Sequence, residues 1–412
     1  MTSFPVLSSR SSRVAFPAAE VPYTAPGRAL LTLLLVLVLL TTTGWPATGN
    51  DSGRDSREAA LARWHKGSIA GRKLPDTNSS PKALERFFST LTTAQRHRLA
   101  DRHPLIVGNT DGAPVQLRYR ANHKAIRDAR DMAQRQADKP RLTADAQHVA
   151  ERRADRLSAL LKDGRQILAF DPTGRGKAAE VFGDLSHAER VSVIVPGIGT
   201  ELLTFERSNR EYAAPVGMAR AVHAKQRAMT PEVRTATVAW AGYNAPDGLG
   251  IEAASSARAE EGATQLIDFV TGDLPSSGRV ALLCHSYGSV TCGAAADRLP
   301  RRVTDIAVAG SPGMGTTSTN ALRTEARIWA MRNSEDWISS VPHLRFAGLG
   351  HGTDPVDAGF GAREVSAKGA AGHAGYFVPG TRSLTNLSAI GAGESPHVRC
   401  ALDDPDCASR NG

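Results

Sequence analysis

From Gln166 onward, short apolar runs alternate with segments of helical periodicity, and this alternation limits the fold more than any other feature of the chain. The runs are Gln166–Phe170, Val191–Val195, Thr235–Ala241, Val280–Cys284, Thr304–Ala309, Arg327–Met331 and Arg363–Ala367. A strand covered by helices on both faces has no polar side, so it reads as a near-continuous apolar run, and strands separated by helix-length segments pair in parallel. The pattern predicts one α/β domain over residues 165–400, with a mostly parallel, doubly covered sheet. In such a sheet the reactive side chains collect at the carboxyl ends of the strands. The residues that follow each run are therefore the candidates for chemistry.

The run Val280–Cys284 is followed by His285-Ser286-Tyr287-Gly288 and then by a helix start made of small residues. That is the layout of a nucleophile elbow, in which a serine stands on a sharp turn between strand and helix. The usual pattern is G-x-S-x-G. Cys284 stands in place of the first glycine and is small enough for the turn. A buried hydroxyl on an ordinary strand–turn–helix is the structural alternative, and so short a motif does not exclude it. In this architecture the acid and the histidine follow the serine in that order. After Arg327–Met331 come Glu335 and Asp336. Asp336 is preferred because Trp337 and Ile338 turn the chain inward, although either acid could cap the next helix. After Arg363–Ala367 comes a glycine-rich stretch containing His373, where a general base belongs. His351, in a similar glycine loop, is the strongest rival. His343 and His397 compete more weakly, and His285 is adjacent to the serine and points the wrong way.

Val195-Pro-Gly-Ile-Gly-Thr200 lacks the Lys of a phosphate-binding loop and the full dinucleotide fingerprint. Glycines there let backbone approach a substrate, so the loop reads as an oxyanion loop. The expected donors are the amide of Tyr287 and that of Ile198 or Gly199. Residues 242–262 follow a strand end and read equally as a substrate rim or a surface loop.

The remainder of the chain carries no obvious chemistry. Residues 1–49 hold a basic, Pro- and Ser-rich leader and the apolar stretch Ala29–Leu40. They read as a signal peptide or a membrane anchor, so the expected location is extracellular or on the outer face of the cytoplasmic membrane, with association through residues 29–45. Residues 50–80 read as a polar linker, 81–164 as a helical segment and 401–412 as a polar tail. The net charge of +9 is carried by scattered arginines, without a dense basic run, and does not indicate nucleic-acid binding. Cys400 and Cys407 bracket a turn-rich tail, and in an exported chain such a pair is expected to form a disulfide. Cys284 and Cys292 read as small buried residues of the elbow.

The same motifs resemble an α/β-hydrolase family of exported actinobacterial proteins known mainly as a domain of unknown function. The resemblance runs from about Leu84 to Leu387. It is carried by Pro104-Leu-Ile-Val-Gly-Asn109, Val195-Pro-Gly-Ile-Gly-Thr200, Trp240-Ala-Gly-Tyr-Asn-Ala-Pro246, His285-Ser-Tyr-Gly-Ser289, Asp336-Trp-Ile338, Gly348-Leu-Gly-His-Gly-Thr-Asp-Pro355 and Gly372-His-Ala-Gly-Tyr376. It implies the α/β-hydrolase fold and a triad of Ser286, Asp336 and His373. The expected activity is that of a serine hydrolase, esterase- or lipase-like, acting on a small-molecule, lipid or cell-envelope ester. An acyltransferase with the same triad and a non-catalytic binding domain are the alternatives. No metal or organic cofactor is expected.

Overall fold

The computed structural model describes residues 52–402, 404 and 407, apart from 346 and 347. The leader, the apolar stretch 29–40 and most of the tail lie outside the described residues. The chain begins with α1 (Ser52–His65), β1 (Ser68–Ile69), β2 (Arg72–Lys73), α2 (Pro81–Ser89), α3 (Thr93–Arg102), α4 (Pro104–Val107), α5 (Val115–Ala137) and α6 (Ala144–Leu160). The main sheet and its helices follow: β3 (Gln166–Asp171), β4 (Lys177–Phe182), β5 (Arg190–Val195), α7 (Pro215–Met229), β6 (Thr235–Ala241), α8 (Ile251–Ala254), α9 (Ala257–Asp268), β7 (Arg279–His285), α10 (Gly288–Ala295), β8 (Val303–Ala309), β9 (Arg327–Met331), β10 (Arg363–Glu364) and α11 (Arg382–Ala392).

The main sheet has eight strands in the order β10-β9-β8-β7-β5-β6-β4-β3. From β10 to β6 every pairing is parallel, while β4 pairs antiparallel with both β6 and β3. The central strands read as apolar runs because both of their faces are covered. Val191, Val193 and Val195 of β5 enter one core layer and Ile194 enters the other. Two differences from the sequence reading lie toward the two ends of the sheet. The strand β4 was not expected, because Lys177 and Glu180 interrupt its apolar character. Glu180 nonetheless lies buried, where the Arg165 guanidinium grips it in a two-point bond. Burial raises the Glu180 carboxyl above its ordinary value, and the Arg165 bonds oppose that rise. At the other end, β10 is only two residues long, shorter than the run Arg363–Ala367.

The stretch 50–80 is not a plain linker. It holds α1 and the β1–β2 hairpin, and Trp64 is fully buried, donating its Nε1–H to the Pro75 carbonyl at 2.7 Å. The helix carries charge on nearly every side, so its sequence lacks the apolar stripe by which a helix is recognised. The N-terminal helices pack on the sheet through matched polar groups. Asn109 donates Nδ2–H to the Phe170 carbonyl at 2.8 Å and accepts the Phe170 amide at 2.9 Å, which satisfies backbone at the edge strand β3. Asn122 donates Nδ2–H to the carbonyls of both Gly108 and Ile167, at 2.9 and 3.0 Å.

Candidate active site

β7 carries the serine to the carboxyl edge of the sheet and stops. Ser286 adopts a φ of +54°, left-handed backbone that a residue with a side chain rarely takes. Its amide donates to the Ala309 carbonyl at 3.0 Å, and the chain then enters α10. Gly288 is needed for this turn: a Cβ there would stand 2.2 Å from the Val195 carbonyl oxygen. Strain of this kind persists only where surrounding packing fixes it, and both sides of the elbow are buried.

Two later strands deliver the other groups. Asp336 follows β9, and His373 lies in the glycine-rich stretch beyond β10. His373 Nε2 is 2.8 Å from Ser286 Oγ, and its Nδ1 is 2.8 and 3.0 Å from the two oxygens of Asp336. Asp336 is almost fully buried, whereas Glu335 is exposed, which decides between the two acids. The carboxylate also accepts the Tyr376 hydroxyl at 2.6 Å and the Ile338 amide at 3.0 Å. Burial alone would raise the Asp336 pKa. The bonds from His373, Tyr376 and Ile338 outweigh it and hold the group below the usual carboxylate value. Asp336 therefore stays ionised beside the imidazole.

The rival histidines have other partners. His351 is buried and its Nε2–H donates to the Ala253 carbonyl at 2.7 Å, with the ring edge-on to Tyr287. His343 lies beside Asp354 and His397 beside Glu394. His285 belongs to the site through the loop that carries His373. Its Nε2–H donates to the backbone carbonyl of His373 at 2.7 Å, and the two rings lie 4.9 Å apart. A carbonyl only accepts, so Nε2 carries the proton. Burial, and then the neighbouring His373, push the His285 pKa down to about 4, which keeps the ring neutral near pH 7. Asn333 adds a second tether by donating Nδ2–H to the Gly372 carbonyl at 2.8 Å. The loop that carries His373 is thus held on either side of the imidazole.

The expected oxyanion loop lies against the serine, with one correction. The Gly199 amide donates to the Pro246 carbonyl at 2.7 Å and so does not face a substrate. With φ at +67°, Gly199 turns toward the 246–247 loop. Ile198 is the remaining candidate on this loop. The Tyr287 amide, at the start of α10, is among the first N–H groups of a helix, which have no intrahelical acceptor. Three supports of this loop escaped the sequence reading. Tyr243 donates its hydroxyl to Pro196 at 2.8 Å, and Arg175 ties Glu201 to Ala245 and Asp247. Gly197 packs directly on Ser286. Their only sequence signal is position after a strand end, and that does not specify which group bonds to which.

The cysteines are paired. Cys400 and Cys407 form a disulfide, as their spacing led us to expect. Cys284 and Cys292 are also bonded to each other, which their reading as small buried residues did not include. α10 folds back over β7, bringing the two Cα atoms to 6.6 Å, a reach that a disulfide spans. This bridge encloses the nucleophile elbow.

Fold and site together define a class, the α/β hydrolases. The sequence profile of a family described as alpha/beta hydrolase matches residues 171–346 of this chain. An uncharacterized protein of Mycobacterium tuberculosis is 25% identical over 378 residues, covering 78% of this chain and 57% of the relative. The chain thus spans little more than half the length of that protein. An uncharacterized protein of Mycobacterium bovis is 29% identical over 188 residues, 44% of this chain and 70% of its own. Among solved structures, a serine hydrolase without lid from Xanthomonas campestris aligns with a TM-score of 0.29 at 16% identity, covering 43% of this chain and 74% of that one. A 2,6-dihydroxy-pseudo-oxynicotine hydrolase aligns with the same score at 12% identity, covering 68% and 78%.

Proposed function

We propose that this hydrolase cleaves carboxylic esters through an acyl-enzyme on Ser286. The observation that carries this reading is the continuous bond chain from Ser286 Oγ through His373 to Asp336, with all three links at 2.8–3.0 Å. His373 Nε2 takes the serine proton as Oγ attacks the acyl carbonyl. Asp336 holds Nδ1–H and stabilises the imidazolium. The negative oxygen of the tetrahedral intermediate meets the amides of Tyr287 and Ile198, each such donor lowering the barrier by about 3 kcal/mol. The C–O bond then breaks, and His373 returns its proton to the leaving alcohol. Water, activated by the same imidazole, attacks the acyl-enzyme and releases the acid and free Ser286.

Labelling with a fluorophosphonate tests the reading. The chain should react, while Ser286→Ala and His373→Ala should not, and His351→Ala should react like the parent. Equal labelling of folded Ser286→Ala would remove the serine from its role. Loss of labelling in His351→Ala with retention in His373→Ala would move the base.

A further inference from the structure

We propose that the carboxyl edge around Ser286 docks on a lipid layer, so that the ester it cleaves is carried by an amphiphile presented from that layer. The proposal rests on the reading of Ser286 as the nucleophile. Five of the eight large apolar side chains that are exposed among the described residues lie in the segments that follow strands β6 and β9 at this edge: Leu249, Ile251, Trp337, Leu344 and Leu349. Leu249 and Leu344 are 72% and 70% exposed. Water contact with so much apolar surface on one side of a molecule marks a place where something else is bound.

Trp337 adjoins the triad, and the other four residues lie on two segments tied to each other and to the elbow. Trp337 lies over His373, with ring centroids 4.8 Å apart. Leu249 and Ile251 follow the 246–247 segment that holds the oxyanion loop. Their loop is joined to the one bearing Leu344 and Leu349. Ser255 and Leu349 form a β-bridge, the Gly350 amide donates to Ala254 at 2.8 Å, and His351 donates to Ala253. The elbow is tied to the same loops, because Tyr287 donates its hydroxyl to the Ser255 carbonyl at 2.8 Å.

The chemistry of the edge favours lipid over a folded partner. A protein interface needs close shape complementarity across a packed core. Here the apolar side chains project separately, Leu249 from the turn between Gly248 and Gly250 and Ile251 from the start of α8, and a fluid layer takes up such projections without a matching surface. Trp337 is a ring suited to the boundary between hydrocarbon and water. Two carboxylates beside Leu249 and Ile251 are paired with arginines: Arg175 holds Asp247, and Arg258 holds Glu252 at 2.8 Å. Arg345 donates to the Gly315 carbonyl at 2.8 Å, a neutral acceptor, and so keeps its charge for anionic headgroups. By contrast, a cleft of about 610 Å³ at the amino ends of the strands is lined by Arg190, Arg234 and Arg279. The apolar surface and this basic cleft, where Glu189 also pairs with Arg234 at 2.6 Å, therefore sit at opposite ends of the sheet.

Trp337 itself reports the docking. Full-length Ser286→Ala protein is mixed with vesicles of phosphatidylcholine and phosphatidylglycerol whose acyl chains are brominated or ordinary, and the emission difference between this chain and its Trp337→Phe counterpart isolates Trp337. Trp64, Trp240 and Trp329 are buried, and Trp45 is common to both chains and cancels. Bromine should quench the Trp337 emission, and Leu249→Ser with Ile251→Ser should reduce the quenching at least about threefold. Equal emission in both lipids, as expected if a second copy or another segment of this chain covers the edge, overturns the proposal. So does undiminished quenching in the folded double variant. Fluorophosphonate labelling of the parent chain in lipid-free buffer reads the role of Ser286 separately, so either idea can fail alone.

Discussion

Replacing Gly197 by alanine tests how closely the oxyanion loop and the nucleophile are fitted. A methyl on Gly197 would stand 2.7 Å from Ser286 Cβ, 3.0 Å from Oγ and 3.2 Å from the His285 carbonyl oxygen. Carbon atoms in contact rest about 3.5–4.0 Å apart, so the two segments must separate by about 1 Å. Neither yields easily. Ser286 is held on the elbow at φ +54°, and the loop is pinned by Tyr243 on Pro196 and by the Gly199 amide on Pro246. Overpacking of this kind costs about 1–3 kcal/mol of stability. A displacement of about 1 Å in the reacting geometry costs about 100-fold in rate. It also stretches the 2.8 Å bond from Ser286 to His373 beyond hydrogen-bond reach. Hydrolysis of a p-nitrophenyl ester should therefore lose about 100-fold in kcat/KM, mostly in kcat, with Tm lowered by a few degrees. Gly359→Ala, whose methyl meets only the Asp357 carboxylate at 3.3 Å on an exposed turn, is the control. Turnover within about threefold of the parent in a folded Gly197→Ala protein would refute the close fit.

Tyr376→Phe removes a donor to the Asp336 carboxylate, so the pKa of that group should rise. The acidic limb of the kcat–pH profile should move to higher pH and kcat should fall about tenfold. An unmoved limb would show that Tyr376 only packs. His285 is depressed to about 4 in the fold against 6.5 when free, so its neutral form contributes stability that is complete above about pH 6.5 and is lost as pH falls toward 4. Denaturant titrations should show about 3 kcal/mol of this loss in the parent and not in His285→Gln, which keeps an N–H for the His373 carbonyl; equal slopes in both chains would refute it. Cys292→Ser opens the loop across the elbow and should cost about 2.5 kcal/mol by chain entropy. Mass spectrometry without reduction should find no free thiol in the parent, and alkylation of Cys284 there would refute the bridge.

The amino-acid sequence by itself determined the parallel sheet and the order of the site along the chain. Those features are local: an apolar run such as Val191–Val195 is written by burial on both faces, and Ser286, Asp336 and His373 each follow such a run. The tertiary structure decided what depends on groups far apart in sequence. His351 and His373 occupy similar glycine-rich loops, and only the packing gives one the Ala253 carbonyl and the other Ser286 and Asp336. Asp336 is separated from Glu335 by burial, and Gly199 from Ile198 by one bond to Pro246. The pairing of Cys284 with Cys292 and the bond from His285 to the His373 carbonyl follow from α10 folding back over β7 and from the loop after β10 meeting the end of that strand. Hydrophobic periodicity records which side of an element is buried. It does not record which donor meets which acceptor once the elements are packed, and in this protein that second choice shapes the site.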